Sequence, residues 1–420
     1  MDTDVRTNPG LLKLDLYCKG MHLDDSCFIE QDGGRSIMRT RAGLGSGLEA
    51  ILPGGLWTNI PVVEEFVKSS PYVLRRKDGK YMIRRGSEPI APIELSPRPT
   101  WYDKKTSTGK PMTRIGSLQG TYLAIYPAKV CEYWLIEPQR ENCKFCSVGL
   151  NLGVDDADTK SVDEVMEVVH AARRDSGITY VDFNTGHYEG DTYLDILEPF
   201  IKRVKKETNL LIGIQTPPHH DLERYEALKE MGVNRVSFCF EIFDEKRFIE
   251  VCPGKNRQYG LKRYLEAVEH CAKLGRGKRG FEPWVSNGEI VAGLEKPESS
   301  IAAIDWITSV GAIPTVCVFR PLKGTDYEDV PPPKTEEMIP VFRRLYEACM
   351  ERDLPIGVAP NIHVSLVLLP EECRWLTDNP RRYWRRELKL RAMSKVFGWS
   401  YQRQVRRTIA AHEASRSAAA

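Results

Sequence analysis

The chain has 420 residues, 41% of them hydrophobic, 28% charged and 9% aromatic, which is apolar mass for one large core or two and excludes a disordered tail or a disulfide-stapled miniprotein. Sixty Lys and Arg against 58 Asp and Glu leave a formal charge of +2, so no whole-chain field draws in a polyanion and a nucleic-acid partner is not favoured. The opening Met1-Asp2-Thr3-Asp4-Val5-Arg6 lacks the apolar core of a signal peptide, and no stretch reaches the ~18 apolar residues of a membrane span, so a cytoplasmic protein is expected.

Residues 1–118 are rich in Gly and Pro. Tyr81 to Arg85 reads as a short strand and Asp78-Gly79 as a hairpin turn, which together suggest a small, mostly β, N-terminal region. Gly43-Leu-Gly45-Ser-Gly47 is too loose for a phosphate loop, since no strand, lysine and helix follow in order. The stretch Trp57 to Pro61 is a candidate for the mouth of a site.

From residue 119 to about 370, short apolar runs alternate with amphipathic helical stretches, the pattern of a parallel sheet with covering helices. The expected strands are Tyr122 to Tyr126 (or Val130 to Ile136), Tyr180 to Asn184, Leu210 to Ile214, Arg235 to Glu241, Glu289 to Val291, Ile313 to Phe319, Leu354 to Val358 and His363 to Leu368, close to eight. Ser161 with Glu164 has capping-box spacing, Pro297 suits a first helical position, and Gly311 follows a helix ending near Val310. An α/β fold of the (β/α) TIM-barrel type is the expectation, with its active site at the C-terminal strand ends; a doubly wound open sheet is the alternative.

Residues 371–420 are basic, with Arg381-Arg382, Arg385-Arg386 and Arg406-Arg407 interleaved with Trp384, Trp399 and Tyr401. Two readings compete. One is a helical extension that packs its aromatics on the barrel and leaves its arginines solvated; the other is a nucleic-acid grip.

Eleven cysteines in a reducing compartment stay mostly as thiols, so their spacing decides their use. Cys143-Lys-Phe-Cys146 lets two sulfurs converge on one metal centre, and Cys131, upstream at the end of the first barrel strand, supplies a third. Three thiolates suffice for a 4Fe-4S cluster whose fourth iron binds something exchangeable, whereas structural zinc wants four ligands and no matching second pair lies nearby. Three unconnected core cysteines are the plainer reading.

At these residues the sequence resembles the radical SAM superfamily, and the resemblance covers about residues 119–370. Cys143-Lys-Phe145-Cys146 looks like the second half of that family's cysteine motif, aromatic residue included. The usual spacing would put the first cysteine at Gln139; here the nearest upstream thiol is Cys131, an expanded motif. Later segments resemble the biotin synthase and lipoyl synthase branch. Asn184-Thr185-Gly186 ends the second strand, where that family meets the methionine amine of S-adenosylmethionine. Glu241 ends the fourth, where an acidic residue binds the cofactor ribose or amine. Gly288-Glu-Ile290 and Phe319-Arg-Pro321 resemble the adenine-contacting elements of the fifth and sixth strands, the former displaced by one residue.

The resemblance implies metal ligands Cys131, Cys143 and Cys146, and cofactor-binding residues Phe145, Asn184, Thr185, Gly186, Glu241, Ile290 and Phe319. It further implies a 4Fe-4S cluster, S-adenosylmethionine, a flavodoxin- or ferredoxin-type electron donor, and hydrogen abstraction from a small-molecule or carrier-bound substrate. The outcome would be sulfur insertion or a C–C or C–X rearrangement, or, on the other reading, an iron-sulfur protein that binds or modifies RNA. Cys239, on the lumen face of its strand by period-2 alternation, with Cys252, Cys271 and Cys317, or Cys18 with Cys27, raises a second iron-sulfur cluster as a further expectation; buried structural thiols are the alternative.

Overall fold

The computed structural model describes residues 1–27, 47–136, 138–275 and 283–419, with side chains to residue 415. Gly43 and Gly45 of the glycine run lie outside the described residues. The chain opens with helix α1 (Pro9–Lys19), capped by the Asn8 side chain, and all of its residues but Lys19 are buried. A helix buried on nearly every face needs neighbours all round, and its two buried charges have partners, Lys13 with Glu372 at 2.7 Å and Asp15 with the Tyr72 hydroxyl at 2.5 Å. Leu11, Leu14 and Tyr17 join the barrel core, whereas Leu12 and Leu16 join the core of a separate N-terminal sheet.

That first sheet holds β1 (His22–Leu23), β2 (Leu48–Leu52), β3 (Leu56–Ile60), β4 (Tyr72–Lys77), β5 (Lys80–Arg85) and β6 (Glu88–Leu95), in the order β1-β4-β5-β6-β2-β3. The β4–β5 hairpin turns at Asp78-Gly79, both at positive φ, as the sequence predicts. Arg320, beyond the barrel's last strand, donates to the Asn59 side chain and carbonyl at 3.1 and 2.9 Å and so ties β3 to the barrel.

The second sheet holds β7 (Ser117–Gln119), β8 (Tyr122–Ile125), β9 (Tyr180–Asn184), β10 (Leu211–Thr216), β11 (Arg235–Glu241), β12 (Val285–Ala292) and β13 (Ile313–Val318) in sequence order. β8 to β13 are parallel and β7 pairs antiparallel with β8. Its helices are α2 (Val148–Asn151), α3 (Val162–Ser176), α4 (Tyr193–Thr208), α5 (Arg224–Glu230), α6 (Glu245–Val251), α7 (Pro253–Gln258), α8 (Gly260–Leu274), α9 (Pro297–Ser309), α10 (Thr335–Glu351) and α11 (Trp384–Ala419).

The expectation of about eight barrel strands is corrected to six parallel strands in an open sheet among the described residues. Leu354 to Val358 and His363 to Leu368 are irregular, and Val130 to Ile136 contains a 3-10 turn instead of a strand. Pro355 and Pro360 remove ladder donors there, and the segment spends other backbone groups on β3 and on the β7–β8 turn, Asn59 N–H to Ser365 O and Thr121 N–H to His363 O. Residues 355–371 thereby cover the end of the lumen at the strand N-termini.

α11 follows only part of the extension reading. Tyr401 is buried, donating its hydroxyl to Thr179 O at 2.6 Å, but Trp384 and Trp399 are exposed, each beneath an arginine, Arg385 and Arg403.

A candidate cofactor cavity at the strand ends

Parallel strands end on one rim, and here the rim gathers the cysteine loop. Cys131 opens a turn at Glu132–Trp134, and Cys143 and Cys146 close another in which the Cys146 N–H donates to the Cys143 carbonyl at 3.0 Å. The intervening loop is pinned by Glu141 N–H to Tyr133 O, Gly254 N–H to Glu141 O and Lys144 N–H to Val251 O, each 3.0 Å. All three cysteines are free thiols and line one cavity.

Phe145, Asn184, Thr185, Gly186 and Glu241 line the same cavity. Gly186 is there for space: a Cβ would lie 2.6 Å from both Cα and Cβ of Cys131. Asn184 Oδ1 and Thr185 Oγ1 are buried without a hydrogen-bond partner, polar atoms left facing a space that a ligand would fill. Glu241 sits at φ +68°, a left-handed conformation costly for a residue with a Cβ, where the β11–β12 register shifts after Cys239.

Two sequence assignments are corrected. Ile290 is fully buried in the helix-side core, because its neighbour Glu289 takes the lumen face and alternation turns Ile290 away. Phe319 is likewise buried off the cavity, edge-on to Tyr327 at 6.2 Å. Neither is among the residues that line the cavity.

Other residues enter that sequence reasoning left without a role. Lys255, after the Pro253-Gly254 start of α7, donates to Glu241 Oε1 at 2.8 Å and to the Cys239 carbonyl at 2.5 Å, wholly within the cavity wall. Burial pulls its pKa down, yet the charges of Cys143 and Glu241 outweigh this and hold it well above 10.5, so it stays cationic. His187 donates its backbone N–H to Cys131 Sγ at 3.4 Å, places Nε2 2.6 Å from Tyr264 Oη and stacks on Tyr133 at 4.6 Å. Burial, with the Lys255 charge, holds His187 well below its usual 6.5, so the ring is neutral.

The thiols carry the imprint of the same crowding. Burial pushes Cys131 up to about 11 and Cys146 upward as well, the latter also through Cys143. Cys143 moves down, because the buried Cys252 thiol hydrogen-bonds to it and Lys255 lies near. Among the described residues, the cysteines expected to form a second set are found in separate places. Cys239 joins the first cavity, Cys252 meets Cys143, Cys317 points to Glu289 at 3.8 Å, and Cys271 is packed in the core. No described helix is long and apolar enough to cross a membrane.

Residues 140–304 match the family model described as the radical SAM superfamily. Among curated proteins, the chain is 28% identical to a bacteriochlorophyllide c C-7(1)-hydroxylase of Chlorobaculum limnaeum over 171 residues, 39% of this chain and 40% of that one. It is 25% identical to an uncharacterized protein of Methanocaldococcus jannaschii over 173 residues, 40% of this chain and 42% of that one. The chain thus spans about two fifths of the length of these relatives.

Among solved structures, methylornithine synthase matches with a TM-score of 0.40 at 17% identity, over 59% of this chain and 72% of that chain. HydG, a maturase of the FeFe-hydrogenase, matches with 0.43 at 14%, over 54% and 49%. The matched span takes in Cys143, Cys146 and the strands β9 to β12 that carry the cavity, so it is over this part that the chain is similar to the radical SAM superfamily.

Proposed function

We propose that the chain is a radical SAM enzyme in which Cys131, Cys143 and Cys146 would hold a 4Fe-4S cluster and the ends of β9 to β11 would hold S-adenosylmethionine beside it. The observation that carries this is the convergence of three thiols and two partnerless buried oxygens, Asn184 Oδ1 and Thr185 Oγ1, on one cavity. The donor set suits the group: three free cysteines line one cavity, and cysteine thiolates are the ligands that hold iron-sulfur clusters.

When bound, the cluster and sulfonium supply one-electron cleavage to methionine and a 5′-deoxyadenosyl radical that takes hydrogen from an unactivated carbon. The chain's own residues orient and exclude. Asn184 and Thr185 offer acceptors to the methionine amine, Gly186 lets backbone approach, Glu241 takes the ribose or amine, and Phe145 walls the cluster side. Lys255 offsets thiolate charge, while His187 and Tyr133 hold Cys131 in place. A primary radical is indiscriminate, so the substrate carbon must be positioned against it and water kept out.

The substrate is a small or carrier-bound molecule with an unactivated C–H bond, and the electron comes from a flavodoxin- or ferredoxin-type donor. A relative whose name denotes a hydroxylase fits C–H activation of this kind. Sulfur insertion would call on a second cluster, and of the remaining described cysteines Cys239 is the one lining this cavity. The RNA-binding reading gains no support from the relatives described.

Anaerobically reconstituted protein, given dithionite and S-adenosylmethionine, is expected to release 5′-deoxyadenosine without substrate. Cys143→Ala and Cys146→Ala should lose both the iron and the product. An iron-free wild type, or unchanged product from either variant, overturns the reading.

A further inference from the structure

We infer that His170, Glu207 and His412 form a zinc-type metal site that clamps the C-terminal helix α11 to the outside of the barrel. The three residues come from α3, α4 and α11, and their ligand atoms lie within 4.8 Å of one another. Both imidazoles aim Nε2 at the same carboxylate oxygen, His170 at 2.8 Å and His412 at 3.4 Å from Glu207 Oε2. The rings are nearly parallel, 12° apart with centroids separated by 6.2 Å, so they approach that point side by side.

A tetrahedral zinc with bonds of roughly 2.0–2.1 Å separates its ligand atoms by roughly 3.3 Å, which the observed spacings bracket. The second oxygen of Glu207 is occupied: Arg203 Nε donates to Oε1, and Arg203 in turn reaches Asp163 at 3.3 Å. That outer contact fixes the carboxylate and leaves Oε2 directed at the two imidazoles, the usual arrangement around a metal-ligating carboxylate. Two imidazoles and a carboxylate form a donor set suited to zinc among biologically common divalent ions. The histidine side chains are 21% and 22% exposed, which admits the ion and leaves room for a water as fourth ligand.

The second imidazole arrives on a helix joined to the barrel far away in the chain, beyond the last residue that this helix buries. Tyr401 is the last buried residue of α11 among those whose side chains are described, and His412 lies three helical turns beyond it. The clamp would give that distal stretch a fixed point on α3 and α4.

The test uses the full chain with its iron-sulfur cluster in place, so that the thiols of the cavity are already taken. Wild type, His412→Ala and Glu207→Gln are equilibrated with zinc, freed of excess metal and analysed for zinc and iron. The expected result is about one zinc per chain lost in each variant at unchanged iron. Zinc should also raise the Tm of wild type and slow proteolysis within residues 402–415, with neither effect in His412→Ala. Cobalt in place of zinc should give weak visible bands without the near-ultraviolet charge transfer of a thiolate ligand. Equal zinc in wild type and His412→Ala, a thiolate band for cobalt, or a Tm indifferent to zinc would each show that the three residues form a hydrogen-bonded contact and no metal site. His412 lies on a peripheral helix, so retained iron in His412→Ala reports an intact barrel.

Discussion

Gly186 and Cys131 meet where two strand-end loops pass closest, and no side chain fits between them. Gly186→Ala would put a methyl 2.6 Å from Cys131 Cβ and 2.7 Å from Tyr126 Oη, so one loop must move. Overpacking of this kind costs about 1–3 kcal/mol. The expected outcome is a folded variant, by circular dichroism, that takes up markedly less iron on reconstitution; wild-type iron content would show that Cys131 is not the ligand displaced. Cys143, Phe145, Cys146, Asn184, Thr185, Gly186 and Glu241 were all legible, because each sits in a short motif whose spacing or strand-end position survives in the one-dimensional sequence. Lys255 was not. It meets Glu241 through a turn whose Pro253-Gly254 looks like any other, and only the packing of α7 under the rim brings its ammonium to the carboxylate. Ile290 failed for a different reason: a one-residue displacement reverses the face a strand residue takes, so the motif was found and its inward position went to Glu289.

Helix α3 shows at the next scale how much an element can announce itself. Ser161 accepts from the Glu164 N–H at 3.2 Å and Glu164 returns the bond to the Ser161 N–H at 2.8 Å, the reciprocal cap that the spacing predicted. Glu164 also receives Thr108 Oγ1 at 2.5 Å and Lys110 Nζ at 3.1 Å, so the cap fastens the segment before the barrel as well. Ser161→Ala should destabilise the protein by about 1 kcal/mol, read as a small drop in the urea midpoint at unchanged slope. A changed slope would mean that the cap does more than close the helix. Strands β9, β11 and β13 were equally plain. The two runs after α10 were not, since an apolar stretch reads alike whether it pairs as a strand or lies irregularly over a core, and prolines at its ends decide the matter only once the partners are seen.

Across the whole molecule the barrel lumen holds an uncommon load of buried charge. Asp182 and Arg235 approach to 3.3 Å, Glu289 receives Ser237 Oγ at 3.1 Å, and Glu241 and Lys255 lie toward the rim. Burial, reinforced by Glu241, pushes Glu289 up to about 7 from 4.5. A carboxyl whose pKa is raised by folding keeps its proton in the native chain while the unfolded chain ionises. Its contribution is therefore full below pH 4.5 and is lost as pH climbs to about 7, with of order 3 kcal/mol at stake. In cluster-free protein, Glu289→Gln should accordingly gain Tm relative to wild type between those two values and keep a constant margin above them. A difference that stays flat across the range would mean that the carboxyl titrates normally.

Helix α1 has no free side. With its faces divided between the core of the first sheet and the core of the barrel, neither body can open without stripping this helix of half its cover. The two are therefore expected to melt in a single calorimetric transition, and two separated transitions would show that the sheets on either side of residue 118 are independently stable.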